Sequence, residues 1–563
     1  MIAMKLNTRL LQAALIAAAT LATAYAAAPG VTAISGSSST SPFNLTAQAA
    51  YLTQPDGQAV YSWGYGCNGA PAGFAPAAIA STVASCNSMQ VPGPTLIVTE
   101  GQSVSVTLTN SLPSAAGNTS ILFPGFNVTA TGGVTGLLTN EAPPAASCPT
   151  TNPTCNTVTY SFTASSPGTR AYYSGTQGDL QVEMGLYGAI IVLPATTPSG
   201  CTAVGSLPAH YVAPGNSAEG DFRLAGAAYD HSRSCYDREY LFQFSEMDAR
   251  IHTQARDQVA AANCTLTSTG ALPATCKLNV ATEPYHPAYF LINGRSMPDD
   301  MDPNYAAEYP HQPYNGNPHM HPGEQVLLRI IGQGRWQHPF HEHGNHVRTL
   351  GRDGNLILSQ TDPNSLAGPL FFTTTTTPGQ AMDGIFYWSG KGLNWDAYGH
   401  NPTSADPLAN LPCDGLLGGY HSVTTDLNYY EWCQDHNKPV QSMPFGDVAS
   451  GGPVTLPDPN IFTNGPWYGG SPYLGPNATV RATGCFTGSQ PNGPASAPSN
   501  VCGQTGSTPP SGTIANPPSS EAGFAFMWHS HNEREITTNN IFPGGMLMMM
   551  LVDSREFQID ESN

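Results

Sequence analysis

Charged residues are scarce in this chain of 563 residues, and basic ones especially so. Only 10% of the residues are charged, and 19 Lys and Arg stand against 38 Asp and Glu, which gives a formal net charge of −19. We therefore expect no nucleic-acid partner, because phosphates need a basic surface. Long amphipathic helices with a charged outer face are not expected either. After the N-terminal region, no apolar run is long enough to predict a membrane span.

Residues 1–27 are typical of a secretory signal peptide. Lys5 and Arg9 precede an apolar run over residues 10–24, and small residues follow around Ala26 and Ala28. The run is shorter than the roughly 20 residues that a membrane span needs, which argues against the alternative of an uncleaved anchor. We therefore expect a secreted protein, either periplasmic or extracellular.

Cysteine usage agrees with an oxidising compartment. Twelve cysteines are present, none in a C-x-x-C spacing, so thiol redox chemistry and zinc ribbons are poorly supported. They fall into couples that are close in sequence, and we predict local disulfides at Cys67–Cys86, Cys148–Cys155, Cys201–Cys235, Cys264–Cys276, Cys413–Cys433 and Cys485–Cys502. None of these cysteines lies near the histidine clusters described below.

The apolar pattern predicts an all-β protein. Residues 103–110 read SVSVTLTN, an alternation of hydroxyl and apolar side chains that is typical of a half-buried strand. Turns are frequent, with 58 Gly and 50 Pro, which favours short strands packed as sandwiches. Two sequence segments resemble each other and indicate two repeated sandwiches: TEGQSVSVTL and PGEQVLLRII.

The predicted domain organisation follows from these patterns. We place a first sandwich at 38–196 and a last sandwich at 285–390 plus 521–556. Residues 197–284 are either a connecting segment or a degraded middle domain. Residues 391–520, rich in Gly, Pro, Asn and Ser, are interpreted as a long, irregular, disulfide-pinned insertion, with a linker between domains as the alternative.

The histidines carry the functional information. There are 16, none of them before His210, and they include the segments His338-Pro-Phe-His341-Glu-His343 and His529-Ser-His531. Because side chains alternate along a strand, His341 and His343 share one face, and so do His529 and His531. If the two segments are neighbours, four imidazoles converge on one metal ion, and imidazole is the usual ligand for copper and zinc. The alternative is a set of ordinary surface or core histidines.

Several sequence segments resemble those of the multicopper oxidase family, whose members are built from cupredoxin domains. They are PGPTLIVTEGQSVSVTLTNSLP, GLYGAIIVLP, FLINGRSMPD, PGEQVLLRI, HPFHEHG, and HSH followed by PGGM. The resemblance implies tandem cupredoxin-like Greek-key sandwiches and copper as the cofactor. It also favours a homotrimer, since in the two-domain branch of the family the copper cluster lies between the subunits of a trimer.

The resemblance assigns roles to five histidines. His341, His343, His529 and His531 match ligands of the family's three-copper cluster, and His338 matches a ligand of its type 1 copper. Four departures accompany this match, namely Leu122-Phe-Pro-Gly125 in place of HWHG, Tyr172-Tyr-Ser-Gly175 in place of YHSH, Ser530 in place of the type 1 cysteine, and Glu535 in place of a later histidine.

These departures predict a reduced, possibly mononuclear copper site. A blue copper site needs a thiolate, which a serine hydroxyl cannot supply, so we expect ordinary laccase turnover to be absent or very weak. The expected partners are copper ions and a small-molecule or metal-ion reductant. A non-catalytic copper-sequestering protein and a structural cupredoxin protein are the alternatives, and whether the chain is an enzyme stays open. A third segment, His319-Met320-His321, is interpreted as a solvated loop, with a subsidiary copper-loading site as the alternative.

Overall fold

The computed structural model consists of two β-sandwiches packed against each other. It describes residues 28–32, 43–71, 73–75, 86–201, 223–321, 323–388, 471–474, 479–480, 514–515, 522–553 and 559. The predicted signal peptide and nearly all of the predicted insertion lie outside these residues, and so do the couples Cys413–Cys433 and Cys485–Cys502. Within the described ranges, no helix has the length and apolar character to cross a membrane.

The first sandwich is formed by two five-stranded sheets. Its elements are β1 (Gly30–Thr32), β2 (Phe43–Thr53), β3 (Ala59–Cys67), β4 (Phe74–Ala75), β5 (Leu96–Thr99), β6 (Ser103–Asn110), β7 (Thr129–Gly132), β8 (Val134–Thr135), β9 (Asn140–Glu141), β10 (Thr157–Thr163), β11 (Gly168–Tyr173), α1 (Gly178–Gln181) and β12 (Tyr187–Leu193). One sheet has the order β11-β12-β5-β1-β4 and the other β3-β2-β6-β10-β7.

Alternation along β6 and β10 explains how the first core forms. The two strands pair antiparallel, with Val106 opposite Tyr160 and Leu108 opposite Val158. Both members of each pair are buried, while the intervening Ser and Thr residues are half-buried or exposed. The predicted half-buried strand at 103–110 is thereby confirmed.

The remaining described elements form the second sandwich and one separate two-stranded sheet. They are β13 (Arg238–Met247), α2 (Ala249–Ala261), β14 (Tyr289–Ile292), β15 (His319–Met320), β16 (Gln325–Gly332), β17 (His338–Glu342), β18 (Val347–Arg352), β19 (Asn355–Leu356), β20 (Leu370–Phe371), β21 (Thr373–Thr376), β22 (Ala381–Tyr387), β23 (Ser471–Leu474), β24 (Thr479–Val480), β25 (Ile514–Ala515), β26 (Ala522–Ser530) and β27 (Leu547–Asp553). One sheet has the order β14-β13-β16-β22-β18-β19, with β20 beside β18, and the other β15-β27-β26-β17-β21, with β23 beside β26.

Strand β13 lies in the range 197–284, where the sequence left the domain assignment open. It pairs in parallel with β16 and antiparallel with β14, so it belongs to a sheet of the second sandwich. All ten of its residues are buried. One face contributes Phe242 and Phe244 to the second core, and the other places Leu241 against Ile191 of the first sandwich. Helix α2 follows directly and packs Ile251 into the first core.

The architecture confirms the predicted fold class. Strands dominate both halves, and the arrangement is that of tandem cupredoxin-like sandwiches. The four cysteine couples within the described residues are disulfides, as predicted: Cys67–Cys86, Cys148–Cys155, Cys201–Cys235 and Cys264–Cys276.

One local prediction is wrong. His319 and His321 do not lie in a solvated loop, because β15 pairs with β27 and both side chains are buried. His319 Nδ1 lies 2.6 Å from Asp553 Oδ2, and His321 Nδ1 lies 3.0 Å from the Asp553 carbonyl oxygen. Their polar atoms are used to join β15 to the C-terminal strand.

Candidate metal centre

Two neighbouring strands bring the predicted histidines together. Strands β17 and β26 pair antiparallel with His341 opposite His529, while Phe340 and Trp528 turn into the second core. Because β17 ends at Glu342 and β26 at Ser530, His343 and His531 lie one residue beyond each strand end. The ring centroids of His341 and His343 are 4.9 Å apart, and those of His341 and His529 are 5.5 Å apart.

Three of the four rings form a compact donor set. His341, His343 and His529 each place one ring nitrogen so that all three lie within 4.8 Å of one another. Within the described ranges, no other group of three His, Cys, Asp or Glu residues meets this condition. His531 lies at the solvent rim, with its ring centroid 4.9 Å from that of His341 and 5.7 Å from that of His529.

The hydrogen bonds around the rings leave nitrogen lone pairs directed inward. His529 Nδ1 lies 2.7 Å from the Ser530 carbonyl oxygen, which can only accept, so Nδ1 donates and Nε2 is the free acceptor. His529 Nε2 lies 3.3 Å from His343 Nε2. Two nitrogens at about 2.0–2.1 Å from one tetrahedral ion are about 3.3–3.4 Å apart, so this pair fits a shared metal ion.

A hydroxyl supports the ring of His341. Thr373 Oγ1, on the neighbouring strand β21, lies 2.7 Å from His341 Nδ1. Contacts of this kind orient metal-binding imidazoles and fix which nitrogen faces the metal. Glu342, between His341 and His343 in sequence, lies on the opposite face and is fully buried, and this burial raises the pKa of its carboxyl well above the usual range.

Burial and mutual repulsion keep the clustered rings neutral. Desolvation, followed by repulsion from His343, His529 and His531, lowers the pKa of His341 to about 4. Desolvation and the neighbouring imidazoles also lower the pKa of His343, and desolvation lowers that of His529. Only the neutral ring can bind a metal, so the cluster is prepared for one over a wide pH range.

His338 lies in a different environment from the other four predicted residues. Its Nε2 is 2.9 Å from Glu246 Oε2, and its Nδ1 is 2.9 Å from Glu535 Oε2. Burial acts to lower the pKa of His338, but the hydrogen bonds and charges of Glu246 and Glu535 raise it to about 9. With both ring nitrogens facing carboxylates, His338 stands apart from the group of three.

Ser530 and Glu535 contact each other. The Ser530 hydroxyl donates to Glu535 Oε2 at 2.5 Å, and both residues are buried. The sequence reasoning considered Ser530 and Glu535 but missed Glu246. A usable signal was present, because Glu246 is an acidic residue inside the apolar run YLFQFSEM of β13.

In the first sandwich, residues 122–125 and 172–175 carry no histidine that could bind a metal. Leu122 and Tyr173 pair through their backbones, so the two segments lie side by side, and a Cβ at Gly175 would collide with the Leu122 side chain. Leu122 and Gly175 have no side-chain donor. Burial raises the pKa of Tyr173, which is the opposite of what a phenolate ligand needs.

Comparisons with known proteins agree with these observations. Residues 74–197 match the model of a multicopper oxidase family. No curated protein matches the chain.

Three solved structures align with the chain at low identity. The multicopper oxidase mgLAC is 13% identical, with a TM-score of 0.41 over 92% of this chain and 87% of that one. The blue copper oxidase from Nitrosomonas europaea is 13% identical, with a TM-score of 0.40 over 91% and 85%. The copper nitrite reductase from the same organism is 17% identical, with a TM-score of 0.32 over 61% and 83%.

The family match covers most of the first sandwich, whereas the two paired histidine segments lie in the second sandwich. Residues 74–197 are therefore similar to the multicopper oxidase family.

Proposed function

We propose that this chain is a secreted copper-binding oxidoreductase with a reduced, mononuclear copper site and without ordinary laccase turnover. The observation that carries the proposal is the convergence of ring nitrogens from His341, His343 and His529, with His531 at the rim. All eight cysteines within the described residues are in disulfides, so this part of the chain offers no thiolate to the site.

The donor set favours copper over the hard cations. Imidazole nitrogens suit copper, zinc and other late transition metals, while magnesium and calcium prefer oxygen ligands. Among these metals, the match of residues 74–197 to a multicopper oxidase family supports copper.

Three histidines would bind the copper ion, and two neighbouring groups would orient their rings. His341, His343 and His529 would hold the ion, Thr373 would orient His341, and the Ser530 carbonyl would orient His529. A copper ion held in this way supplies one-electron redox chemistry. His531 is exposed, so a reductant in solution can reach the rim of the site.

The same structure argues against laccase turnover. A blue copper electron-entry site needs a thiolate ligand. By the family resemblance, Ser530 and Glu535 stand at two of its ligand positions, and His338 pairs with two carboxylates. The first sandwich offers no imidazole at Leu122, Pro124, Tyr173 or Gly175. Electrons must therefore come from a reductant that contacts the single site directly.

A copper titration by calorimetry tests the binding proposal. We expect one tightly bound copper in the wild type and at least 100-fold weaker binding after His341→Ala combined with His529→Ala, since two of the three convergent donors are lost. His286→Ala, which removes an exposed histidine elsewhere, is the matched control and should bind copper like the wild type. Equal binding by the double variant and the wild type contradicts the proposal.

The second candidate is a non-catalytic copper-sequestering protein, which the loss of an electron-entry site favours. Oxygen consumption with phenols or reduced metal ions, at one copper per chain, distinguishes the two. Catalytic consumption that disappears in the double variant supports the oxidoreductase. Stoichiometric binding without consumption supports the sequestering protein.

Secretion and assembly stay predictions with their own measurements. The N-terminus of the exported protein, read by mass spectrometry, should lie near Ala26–Ala28. Sedimentation of the purified protein tests the homotrimer.

A further inference from the structure

A buried chain of polar side chains lies directly behind the metal centre. It runs from the Ser530 hydroxyl to Glu535, from Glu535 to His338, and from His338 to Glu246, with separations of 2.5, 2.9 and 2.9 Å. None of these four side chains is more than 2% exposed. Because the interior has a low dielectric constant, such contacts are electrostatically stronger there than at the surface.

The far end of this chain is attached to the segment that leads into β17. Glu246 Oε1 accepts hydrogen bonds from the backbone N–H groups of Arg335 and Trp336, at 2.7 and 2.8 Å. Glu246 Oε2 contacts the ring of His338, the first residue of β17. Glu246 therefore ties β13 to the start of the strand that carries His341.

The near end of the chain is attached to the other histidine segment. Ser530 lies between His529 and His531, and its side chain points to the face opposite theirs. The Ser530 carbonyl oxygen accepts from His529 Nδ1 at 2.7 Å, and the His531 N–H donates to the Pro339 carbonyl oxygen at 2.8 Å. The orientation of the Ser530 peptide thus decides where the His529 ring points.

We propose that Ser530 and Glu535 are positioning residues for the metal centre. Glu535 is held by His338 and accepts a hydrogen bond from the Ser530 hydroxyl. This bond fixes the Ser530 peptide, whose carbonyl oxygen orients the His529 ring toward His343. Where the family resemblance places a type 1 copper, this chain uses a carboxylate–imidazole–carboxylate clamp, formed by Glu246, His338 and Glu535, to join β13, β17 and the segment after β26. The inference rests on the proposed copper site.

The test compares Ser530→Ala with Ser296→Ala in full-length protein. Ser296 is an equally buried serine of the second sandwich, and its hydroxyl donates to the Phe290 carbonyl oxygen at 2.9 Å. We expect Ser530→Ala to weaken copper binding by about 10- to 100-fold, the usual effect of removing a side chain that orients a ligand. The Cu(II) electron paramagnetic resonance spectrum should change as well, which a purely structural serine would not cause.

Conservative variants keep the test informative if Ser530→Ala folds poorly. Ser530→Thr retains the hydroxyl and should restore both the affinity and the spectrum. Glu535→Gln retains the shape but loses the charge, and it should weaken copper binding in the same direction as Ser530→Ala. Copper binding and spectra unchanged in both Ser530→Ala and Glu535→Gln overturn the inference and leave the copper site standing.

A wild-type protein that binds no copper would instead contradict the proposed function. In that case the inference is decided by hydrogen exchange of the metal-free protein. Faster exchange at residues 529–531 in Ser530→Ala than in Ser296→Ala supports the positioning role. Equal exchange in the two variants overturns it.

Discussion

His338 and His341 lie three residues apart on the same strand, yet their surroundings differ completely. Glu246 and Glu535 raise the pKa of His338 to about 9, against the effect of burial. Desolvation and three neighbouring imidazoles lower the pKa of His341 to about 4. Two identical side chains on one strand are thereby given opposite chemistry, because the neighbours that tertiary packing brings to each ring carry different charges.

The strand therefore uses its two histidines in two ways. A ring between carboxylates is held as a cation, and it joins strands. A ring among other imidazoles is held neutral, with a lone pair available for a metal. Four variants or measurements test the difference between the surroundings of His338 and those of His341.

The largest expected effect comes from converting the His338 environment into a metal site. Ser530→Cys combined with Glu535→His supplies a thiolate and an imidazole next to His338 Nδ1, while Glu246 still orients Nε2. After copper addition this double variant should gain an intense blue absorption band, since that band requires a thiolate–copper bond. The copper-loaded wild type should show none, and a blue wild type would contradict the proposed site.

Removal of His338 should lower the free energy of unfolding even in the metal-free protein. His338→Ala leaves Glu246 and Glu535 buried without their cation, and breaking a buried pair in this way typically costs about 3–5 kcal/mol. His531→Ala removes an exposed ring and should cost about 0.5 kcal/mol or less. Denaturant unfolding of the metal-free proteins measures both, and similar losses for the two variants would contradict the comparison.

The two histidines should also give opposite pH dependences of stability. The pKa of His338 in the folded state, about 9, exceeds the unfolded value of about 6.5, so its contribution is complete below about pH 6.5 and is lost as the pH rises through 9. The pKa of His341 is lowered to about 4, so between about pH 6.5 and 4 the unfolded chain binds more protons and stability falls on acidification.

Unfolding of the metal-free protein across this pH range provides the measurement. We expect stability to fall on the acid side and again on the alkaline side. Copper should counteract the acid loss, because it binds the neutral rings, and should leave the alkaline loss in place. Stability that stays constant as the pH rises through 9 would show that His338 is not held as a cation.

The smallest expected effect concerns the support of His341. Thr373→Val removes the hydroxyl that contacts His341 Nδ1 while keeping the branched shape, and copper affinity should fall by about 10-fold. Thr375→Val changes an exposed threonine two residues along the same strand and is the matched control. Calorimetric titration of the two variants compares them, and equal affinities would exclude a role for Thr373.

Much of the fold and of the site was predictable from local pattern. Alternation at 103–110 predicted its strand because burial of one face needs only period two. The H-x-H spacings at 341–343 and 529–531 predicted shared faces for the same reason. Cysteines close in sequence predicted four disulfides, since short loops bring their ends together easily.

Other features depend on partners that are distant in sequence. Glu246 lies 92 residues before His338, and no local pattern connects them. The burial of His319 and His321 follows from pairing with the C-terminal strand, more than 200 residues away. His531 belongs to the same H-x-H pattern as His529 but lies at the rim, because the chain turns after Ser530.

The sequence by itself determined which side chains are available for chemistry: imidazoles in the second sandwich, none at the family positions of the first, and no thiolate beside the histidines. The tertiary structure decided which histidines converge on one place and which one lies between two carboxylates. Donor identity is a local, covalent property, whereas the charge state of a buried ring depends on groups that only folding brings within a few ångströms.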